Sequence, residues 1–175
     1  LTWSTAFNYS KNTNEIVELH PDVQNIGQGG SEGIRVRLVE GGSISDIYAF
    51  KFQRDDQGRI MLDDTNGRPL RTAERELIGN AEPDYILGWS NTVNYKDWAL
   101  NVQINGKFGG HTVSQTEALL DGYGVSERSA VARDRGFEII NAVQNGSAVS
   151  QIDPFTYYDA IGGRNGIDEP HIYDR

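Results

Sequence analysis

Large and small residues alternate strictly in the first segment of the chain. From Leu1 to Tyr9 the odd positions include Trp3 and Phe7, whereas the even positions are small or polar. Successive side chains of a β-strand point to opposite faces, so a period of two is typical of a strand. The pattern predicts a strand within residues 1–19, with an aromatic face and a polar face.

Two further segments, 85–95 and 98–108, alternate in the same way and predict an antiparallel hairpin. Only Lys96 and Asp97 separate them, as in a two-residue hairpin turn. Each segment has about 11 residues, the length with which a tilted strand crosses a bilayer. The side chains expected on the lipid-facing side are Leu87, Trp89, Val93, Leu100, Val102 and Ile104; those expected on the opposite side are Ser90, Thr92, Asn101 and Gln103.

Aromatic residues lie at both ends of this hairpin. Tyr85 and Phe108 are at its open end, and Tyr95 and Trp98 flank the turn. Aliphatic residues lie between them, which is the distribution that two membrane interfaces select. A half-buried hairpin in a soluble sandwich would alternate as well, so that alternative remains open.

The remaining residues are predicted to form long connections. Residues 20–84 contain short apolar runs that begin at Ile34 and Ile44 and favour β segments. In residues 109–175, Ser114 and Glu117 have the spacing of a capping box, so a helix is expected there. A second helix is expected at residues 126–135, and the segment after it is interpreted as a loop. Long loops opposite a two-residue turn are the asymmetry of an outer-membrane barrel.

Composition narrows the function classes. The 175 residues correspond to one domain or a piece of one, at roughly 150 residues per domain. With 25 acidic and 16 basic residues the net charge is −9, which disfavours nucleic acid as a partner. There is no cysteine, so a disulfide or a thiolate metal site is excluded. No run of about 18 apolar residues encodes a transmembrane helix.

No residue pattern indicates catalysis, a cofactor or a metal. The three histidines, His20, His111 and His171, lie far apart and are expected in solvated loops. Adjacent acidic pairs such as Asp55-Asp56 and Asp168-Glu169 could supply the acid and the base of a glycosidase. Side chains that are neighbours in sequence usually point apart, so a glycosidase is disfavoured. We therefore expect no enzyme, no cofactor and no metal ion.

Aromatic residues in the long connections are the candidate ligand contacts. They could stack on sugar rings or contact a partner protein, but ordered loops of this length also need aromatics for packing, and packing is favoured. The residues are Tyr48, Phe50, Phe52, Tyr123, Phe155, Tyr157 and Tyr158.

An ordered series of short motifs resembles the C-terminal barrel of SusC/RagA-type TonB-dependent transporters. The resemblance covers nearly the whole chain. Its main motifs are Ile78-Gly79-Asn80-Ala81-Glu82-Pro83-Asp84-Tyr85, Tyr95-Lys96-Asp97, Phe108-Gly109-Gly110, Ala118-Leu119-Leu120-Asp121, Tyr123-Gly124-Val125, Ala132-Arg133-Asp134, Tyr157-Tyr158 and Gly162-Gly163-Arg164-Asn165-Gly166.

The resemblance implies an all-β fold, namely an incomplete antiparallel transmembrane β-barrel segment with long extracellular loops that contain short helices. Segment 1–19 would be a strand, 20–84 a loop with β segments, 85–108 a transmembrane hairpin and 109–175 a loop with short helices. The family's plug sequence has no match in the chain, which is expected to be part of a longer protein. A calcium loop of the family is interrupted here by Arg68 and Pro69.

The family's function implies the partners. They are a SusD-like surface lipoprotein, the TonB complex, the lipid bilayer, and an oligosaccharide or peptide substrate, at the outer membrane of a Gram-negative cell. The alternative from a different class is a soluble, secreted β-sandwich that binds glycans.

Overall fold

The computed structural model of the chain describes residues 1–20, 26–28, 35–163 and 166–174. Ile34, at the start of one apolar run, and Arg164-Asn165 of the glycine-rich motif lie outside these ranges. The strands are β1 (Thr2–Ser10), β2 (Ile26–Gln28), β3 (Arg35–Leu38), β4 (Asp46–Ala49), β5 (Ile60–Met61), β6 (Glu76–Asn80), β7 (Tyr85–Tyr95), β8 (Trp98–Phe108), β9 (His111–Val113), β10 (Glu138–Gln144), β11 (Ser147–Gln151) and β12 (Ile172–Asp174). The helices are α1 (Gln115–Gly122), α2 (Glu127–Arg135) and α3 (Pro154–Ile161), with a 3-10 turn at Glu169–His171.

The longest strands form a three-stranded antiparallel sheet in the order β1-β7-β8. Tyr95 pairs with Trp98 across the turn, so the two-residue hairpin predicted from the sequence is confirmed. Lys96 has a positive φ of 51° in this turn, as hairpin turns of this length require. Residues 11–20 have no regular secondary structure.

The register of the sheet gathers the large side chains on one face. Phe7 pairs with Trp89, which pairs with Ile104 on the next strand. The Phe7 and Trp89 rings stack with their centroids 5.8 Å apart. On the opposite face Ala6, Ser90 and Gln103 are aligned in the same manner. The alternation read from the sequence therefore extends across three strands.

The large face is exposed. Every residue of β1 is exposed, and so is all of β8 except Gly106. Phe7 is 76% exposed and Leu100 is 62% exposed. Two hydrogen bonds join polar atoms on this face: Trp89 Nε1 donates to Thr5 Oγ1 at 3.0 Å, and Trp3 Nε1 donates to Asn91 Oδ1 at 3.1 Å. Asn91 Nδ2 is buried and has no hydrogen-bond partner among the described residues.

Glycine is required at the open end of the hairpin. Gly109 and Gly110 follow β8 with φ of 75° and 77°. A Cβ on Gly109 would lie 2.1 Å from the Asp84 carboxylate, and one on Gly110 would lie 2.3 Å from the Glu82 carbonyl oxygen. The Phe108-Gly109-Gly110 motif and the motif that ends at Tyr85 therefore pack directly against each other.

Shorter strands and the helices form a second layer with its own core. The sheets β2-β3-β4-β6 and β11-β10-β5 belong to it, and β12 pairs with β9. The buried cluster joins residues distant in the sequence: Phe52, Ile60, Leu62, Ala132, Ile139, Ala142, Tyr158, Ala160, Ile161 and Ile167. We call this part of the molecule the loop layer.

The expectation of a loop after residue 136 is wrong. Strands β10 and β11 form a hairpin there, and α3 begins at Pro154 with Asp153 as its N-cap. The pairing of β10 shifts register between Glu138 and Ala142, and Asn141 has a φ of 58°. This bulge breaks the period-two pattern and leaves Ile140 85% exposed, so the strand could not be recognised by alternation.

Helix α1 and the end of α3 meet backbone to backbone. A Cβ on Gly162 would lie 2.3 Å from the Cα of Gly122, and the Gly163 N–H donates to the Ala118 carbonyl oxygen at 2.7 Å. Gly122 thus ends α1 and also permits this close approach. Among the described residues, no helix combines the length and the apolar character needed to cross a membrane.

Candidate functional site

Helix α1 begins at a capped N-terminus. The Ser114 side chain accepts a hydrogen bond from the Glu117 N–H at 3.3 Å. The second hydrogen bond of the predicted capping box, from the Ser114 N–H to the Glu117 carboxylate, is absent. The Ser114 N–H donates instead to the His171 carbonyl oxygen at 2.9 Å. The Glu117 carboxylate instead accepts a hydrogen bond from the Tyr173 hydroxyl and forms an ion pair with Arg128. The N-terminus of α1 is therefore tied to the turn before β12.

Helix α2 begins at Ser126, whose side chain accepts from the Ser129 N–H at 3.1 Å. Arg133 and Arg135 lie in its last turn, where cations interact favourably with the helix dipole. Gly136 ends the helix with a φ of 84°. The two helices predicted from the sequence within residues 114–136 are confirmed.

A buried carboxylate connects the helices to the turn before β12. Asp121, which is 1% exposed, accepts from the Ser126 hydroxyl at 2.5 Å and from His171 Nε2 at 2.8 Å. Arg128 Nε donates to the same carboxylate at 2.9 Å, and its Nη2 also contacts it. We call Asp121, Ser126, Arg128 and His171 the Asp121 network.

These contacts determine the ionisation of Asp121. Burial is the largest influence and by itself raises the pKa of this carboxyl. Hydrogen bonds from Arg128, Ser126 and His171 act in the opposite direction and together leave the pKa below its ordinary value. Asp121 is therefore ionised in the folded protein at neutral pH.

The expectation that the histidines are solvated is wrong for His171, which is 1% exposed. His111 is half-buried, and its Nε2 lies 3.1 Å from an Asp174 carboxylate oxygen. Within the described ranges, no three His, Asp or Glu side chains are grouped as metal ligands. At the interrupted calcium loop, Asp63 Oδ1 accepts from the Thr65 and Asn66 N–H groups, so this oxygen holds the turn.

The structure divides the seven candidate aromatics into two groups. Phe50, Phe52 and Tyr158 are buried, and Tyr157 packs on Phe52 and Phe137. The guanidinium of Arg37 lies over the ring of Tyr48. These five residues pack the loop layer, as the favoured interpretation predicted. Tyr123 is 80% exposed and Phe155 is 75% exposed.

Tyr123 and Phe155 line the same pocket. It has a volume of about 140 Å³ and lies between the α1–α2 connection and the start of α3. Buried Tyr158 also lines it, together with Arg133 and Asp159. We call it the aromatic pocket. Exposed rings beside a few polar groups are the usual composition of a ligand site.

Two of the three charged side chains that line the aromatic pocket form ion pairs with other described residues, and the third does not. Asp159 forms an ion pair with Arg68, and Asp121 is held within its network. Arg133 Nη1 donates to the Gly124 carbonyl oxygen at 2.5 Å. No carboxylate of the described residues forms an ion pair with Arg133. Arg133 is therefore the charged lining residue that forms no ion pair within the described part of the chain.

Sequence reasoning found Tyr123 and Phe155 as aromatics but could not distinguish them from the packed ones. It missed Arg133 and Asp159 because their positions depend on contacts between distant elements. Arg68 reaches Asp159 across 91 residues, and Arg133 reaches Gly124 from the other end of α2.

Comparison with known proteins gives one informative similarity. No family model matches the chain. Over 139 residues, or 66% of the chain, the sequence is 30% identical to TonB-dependent receptor P3 of Formosa agariphila. The matched region spans 14% of that protein's length. This similarity supports the TonB-dependent receptor family for the chain, without specifying the SusC/RagA group.

Replacing Arg128 should destabilise the loop layer. Arg128→Met leaves Asp121 buried without its cation, and losing one partner of a buried pair costs about 3–5 kcal/mol. Because a third of the Arg128 side chain is exposed, we expect the lower end of that range. Hydrogen exchange of the α1 and α2 amides in the intact protein measures the free energy of local opening.

Arg135→Met is the matched control, because Arg135 is exposed on the same helix. The pKa of Asp121 is lower in the folded state, so its stabilisation is present above the ordinary pKa of 3.8 and disappears as pH falls through the folded value. The difference between the variant and the wild type should therefore decrease below about pH 4. Equal exchange in both variants at neutral pH would contradict the role of the network.

Proposed function

We propose that this chain forms barrel wall and extracellular loops of an energy-coupled outer-membrane importer of oligosaccharides or peptides. The observation that carries the proposal is the β1-β7-β8 sheet, whose apolar face continues across three strands and is exposed. The similarity to a TonB-dependent receptor supports the same proposal. In this proposal the chain forms part of the barrel and contacts substrate or partner, and it has no catalytic role.

The dimensions of the sheet suit a bilayer. Strands β7 and β8 each have 11 residues, and a tilted membrane strand needs about 9–11. A monomeric soluble protein rarely leaves a continuous apolar face of this kind uncovered. In a barrel wall lipid covers that face, while Ser90, Thr92 and Gln103 face the lumen.

Aromatic side chains lie at both ends of the hairpin, where the two interfaces would be, and the stacked Phe7 and Trp89 lie between these ends. At the open end of the hairpin the Tyr85 ring stacks on Phe108 at 5.1 Å and on Tyr9 at 6.1 Å. At the other end Tyr95 and Trp98 flank the turn and are 53% and 80% exposed. Leu87, Leu100, Val102 and Ile104 form the aliphatic band between the two ends.

The connections give the orientation of this segment. The turn at Lys96-Asp97 has two residues, whereas the connections at the open end contain the loop layer. Outer-membrane barrels have short periplasmic turns and long extracellular loops. The turn would therefore be periplasmic and the loop layer extracellular.

The finer proposal is a SusC/RagA-type transporter of a Bacteroidota outer membrane. Substrate would be captured between the loops and a SusD-like lipoprotein, and the TonB complex would act through regions outside this chain. The ordered motifs support this assignment. Exposed apolar residues on α1, on α2 and in the connection between them would provide a surface for the lipoprotein: Leu119, Leu120, Val125 and Val131.

The alternative of a soluble glycan-binding sandwich has less support. A sandwich packs the apolar faces of two sheets together at about 10 Å. The aromatic face of β1-β7-β8 remains exposed, with Trp3 at 68% and Phe7 at 76%.

A charge on the proposed lipid face should impair folding in the membrane. Val102→Arg should cost roughly 2–4 kcal/mol, because Val102 lies near the middle of β8 on the apolar face. Gln103→Arg is the matched control on the adjacent, opposite-facing position and should cost much less. Urea unfolding of the intact receptor in lipid vesicles measures the difference. Equal tolerance of arginine at the two positions would remove the assignment of faces.

Surface labelling tests the orientation. The chain contains no cysteine, so single cysteines can be introduced at Asp56, Ser147 and Asp97. Asp56 is preferable to its neighbour Asp55, whose carboxylate accepts hydrogen bonds within a turn. A membrane-impermeant maleimide on intact cells should label positions 56 and 147 above the wild-type background and should not label position 97. Labelling only at position 97 would invert the topology.

A further inference from the structure

We propose that the aromatic pocket binds one ring of an acidic saccharide, with Arg133 contacting its anionic group and Tyr123 and Phe155 contacting its apolar face. This proposal rests on the proposed function, because it places a substrate subsite on the extracellular loops. The anionic group is a carboxylate or a sulfate, which an arginine binds through similar hydrogen bonds.

The pocket has room for a small group only. Its volume of about 140 Å³ is well below the roughly 300–1,000 Å³ of sites that enclose a drug-sized ligand. A volume of this size suits a single ring of a longer chain, whose neighbouring units would remain outside. This geometry suits recognition of an oligomer at one unit.

Tyr123 and Phe155 are the two candidate aromatics of the loop layer whose rings are mostly exposed. The other five loop aromatics are engaged in packing or lie beneath a guanidinium, as described above. Tyr123 and Phe155 retain most of their surface for contact with another molecule. A saccharide ring has apolar C–H faces and a polar edge, so aromatic faces beside hydrogen-bonding groups suit it.

Local charge favours an anionic ligand although the chain as a whole has a net charge of −9. At physiological ionic strength the screening length is about 8 Å, so the nearest charges dominate. Asp159 is paired with Arg68, and Asp121 with Arg128. Among the charged lining residues described, Arg133 is the one without an ion-pair partner, and it has donors beyond its bond to Gly124.

The pocket is held in place by the buried contacts around it. Asp121 and Ser129, each 1% exposed, lie on its inner side, and the close approach of Gly122 to Gly162 fixes α1 against α3. A site that is ordered before binding loses less conformational entropy when the ligand binds. The Asp121 network therefore supports the pocket without itself contacting the ligand.

Calorimetric titration of the intact receptor in detergent tests the proposal. The probes are tetragalacturonate, a sulfated galactose tetrasaccharide, the neutral galactose tetrasaccharide and a tetraglutamate peptide. We expect at least one acidic saccharide to bind more tightly than the neutral one and the peptide. Arg133→Gln should weaken that binding by about tenfold or more, as expected for a hydrogen bond to a charged group.

Three variants complete the experiment. Tyr123→Ala and Phe155→Ala should each weaken binding of the acidic saccharide by roughly two- to tenfold. Arg135→Gln removes the same charge from the same helix outside the pocket and should leave binding unchanged. All four positions are exposed, so folding should be preserved, and hydrogen exchange of the α1 and α2 amides in each variant verifies this.

Several results would overturn the proposal. They are failure of both acidic saccharides to bind, equal binding by wild type and Arg133→Gln, an equal loss in Arg135→Gln, or tighter binding of the peptide than of either saccharide. The pocket proposal would fail alone if binding were absent while the surface labelling gave the proposed topology. An inverted labelling pattern would show that the proposed function itself is wrong.

Discussion

The exposed apolar face of the β1-β7-β8 sheet is the constraint on which the account depends. Backbone hydrogen bonds along β7 satisfy the polar groups of the central strand, and the register aligns Phe7, Trp89 and Ile104 on one side. Two polar pairs on that side are formed locally, among them the hydrogen bond from Trp89 to Thr5. Such a face is costly in water and favourable in hydrocarbon, because there the large side chains contact lipid and the backbone is satisfied internally.

The loop layer is held together by different interactions from those of the sheet. Its apolar core is small, and a buried ionic network links α1, α2 and the turn before β12. Buried ion pairs contribute less to net stability than to the geometry they impose, since each partner must be satisfied by a specific neighbour. Here the geometry holds Tyr123, Phe155 and Arg133 at one pocket. In the proposed function, the sheet would anchor the segment in the membrane and the loop layer would provide the contact surface.

Local patterns were sufficient to predict the elements that follow simple periodicity. The hairpin turn at Lys96-Asp97 and the helix caps at Ser114 and Ser126 depend on residues close in sequence. Strand β10 was missed because the bulge at Asn141 interrupts alternation. The partnership of Asp121 with His171 was missed because 50 residues separate them. The two exposed aromatics could not be separated from the packed ones, since burial is decided by tertiary contacts.

The most direct test of the proposed lipid-facing sheet is a spin-label scan along β8 in the intact protein reconstituted in lipid. Labels at successive positions from 99 to 104 report access to oxygen, which concentrates in lipid, and to a water-soluble nickel complex. We predict that oxygen access peaks at positions 100, 102 and 104, and that nickel access peaks at 99, 101 and 103, because successive side chains face opposite sides. A uniform profile with high nickel access at every position, or the opposite alternation, would contradict the lipid-facing sheet.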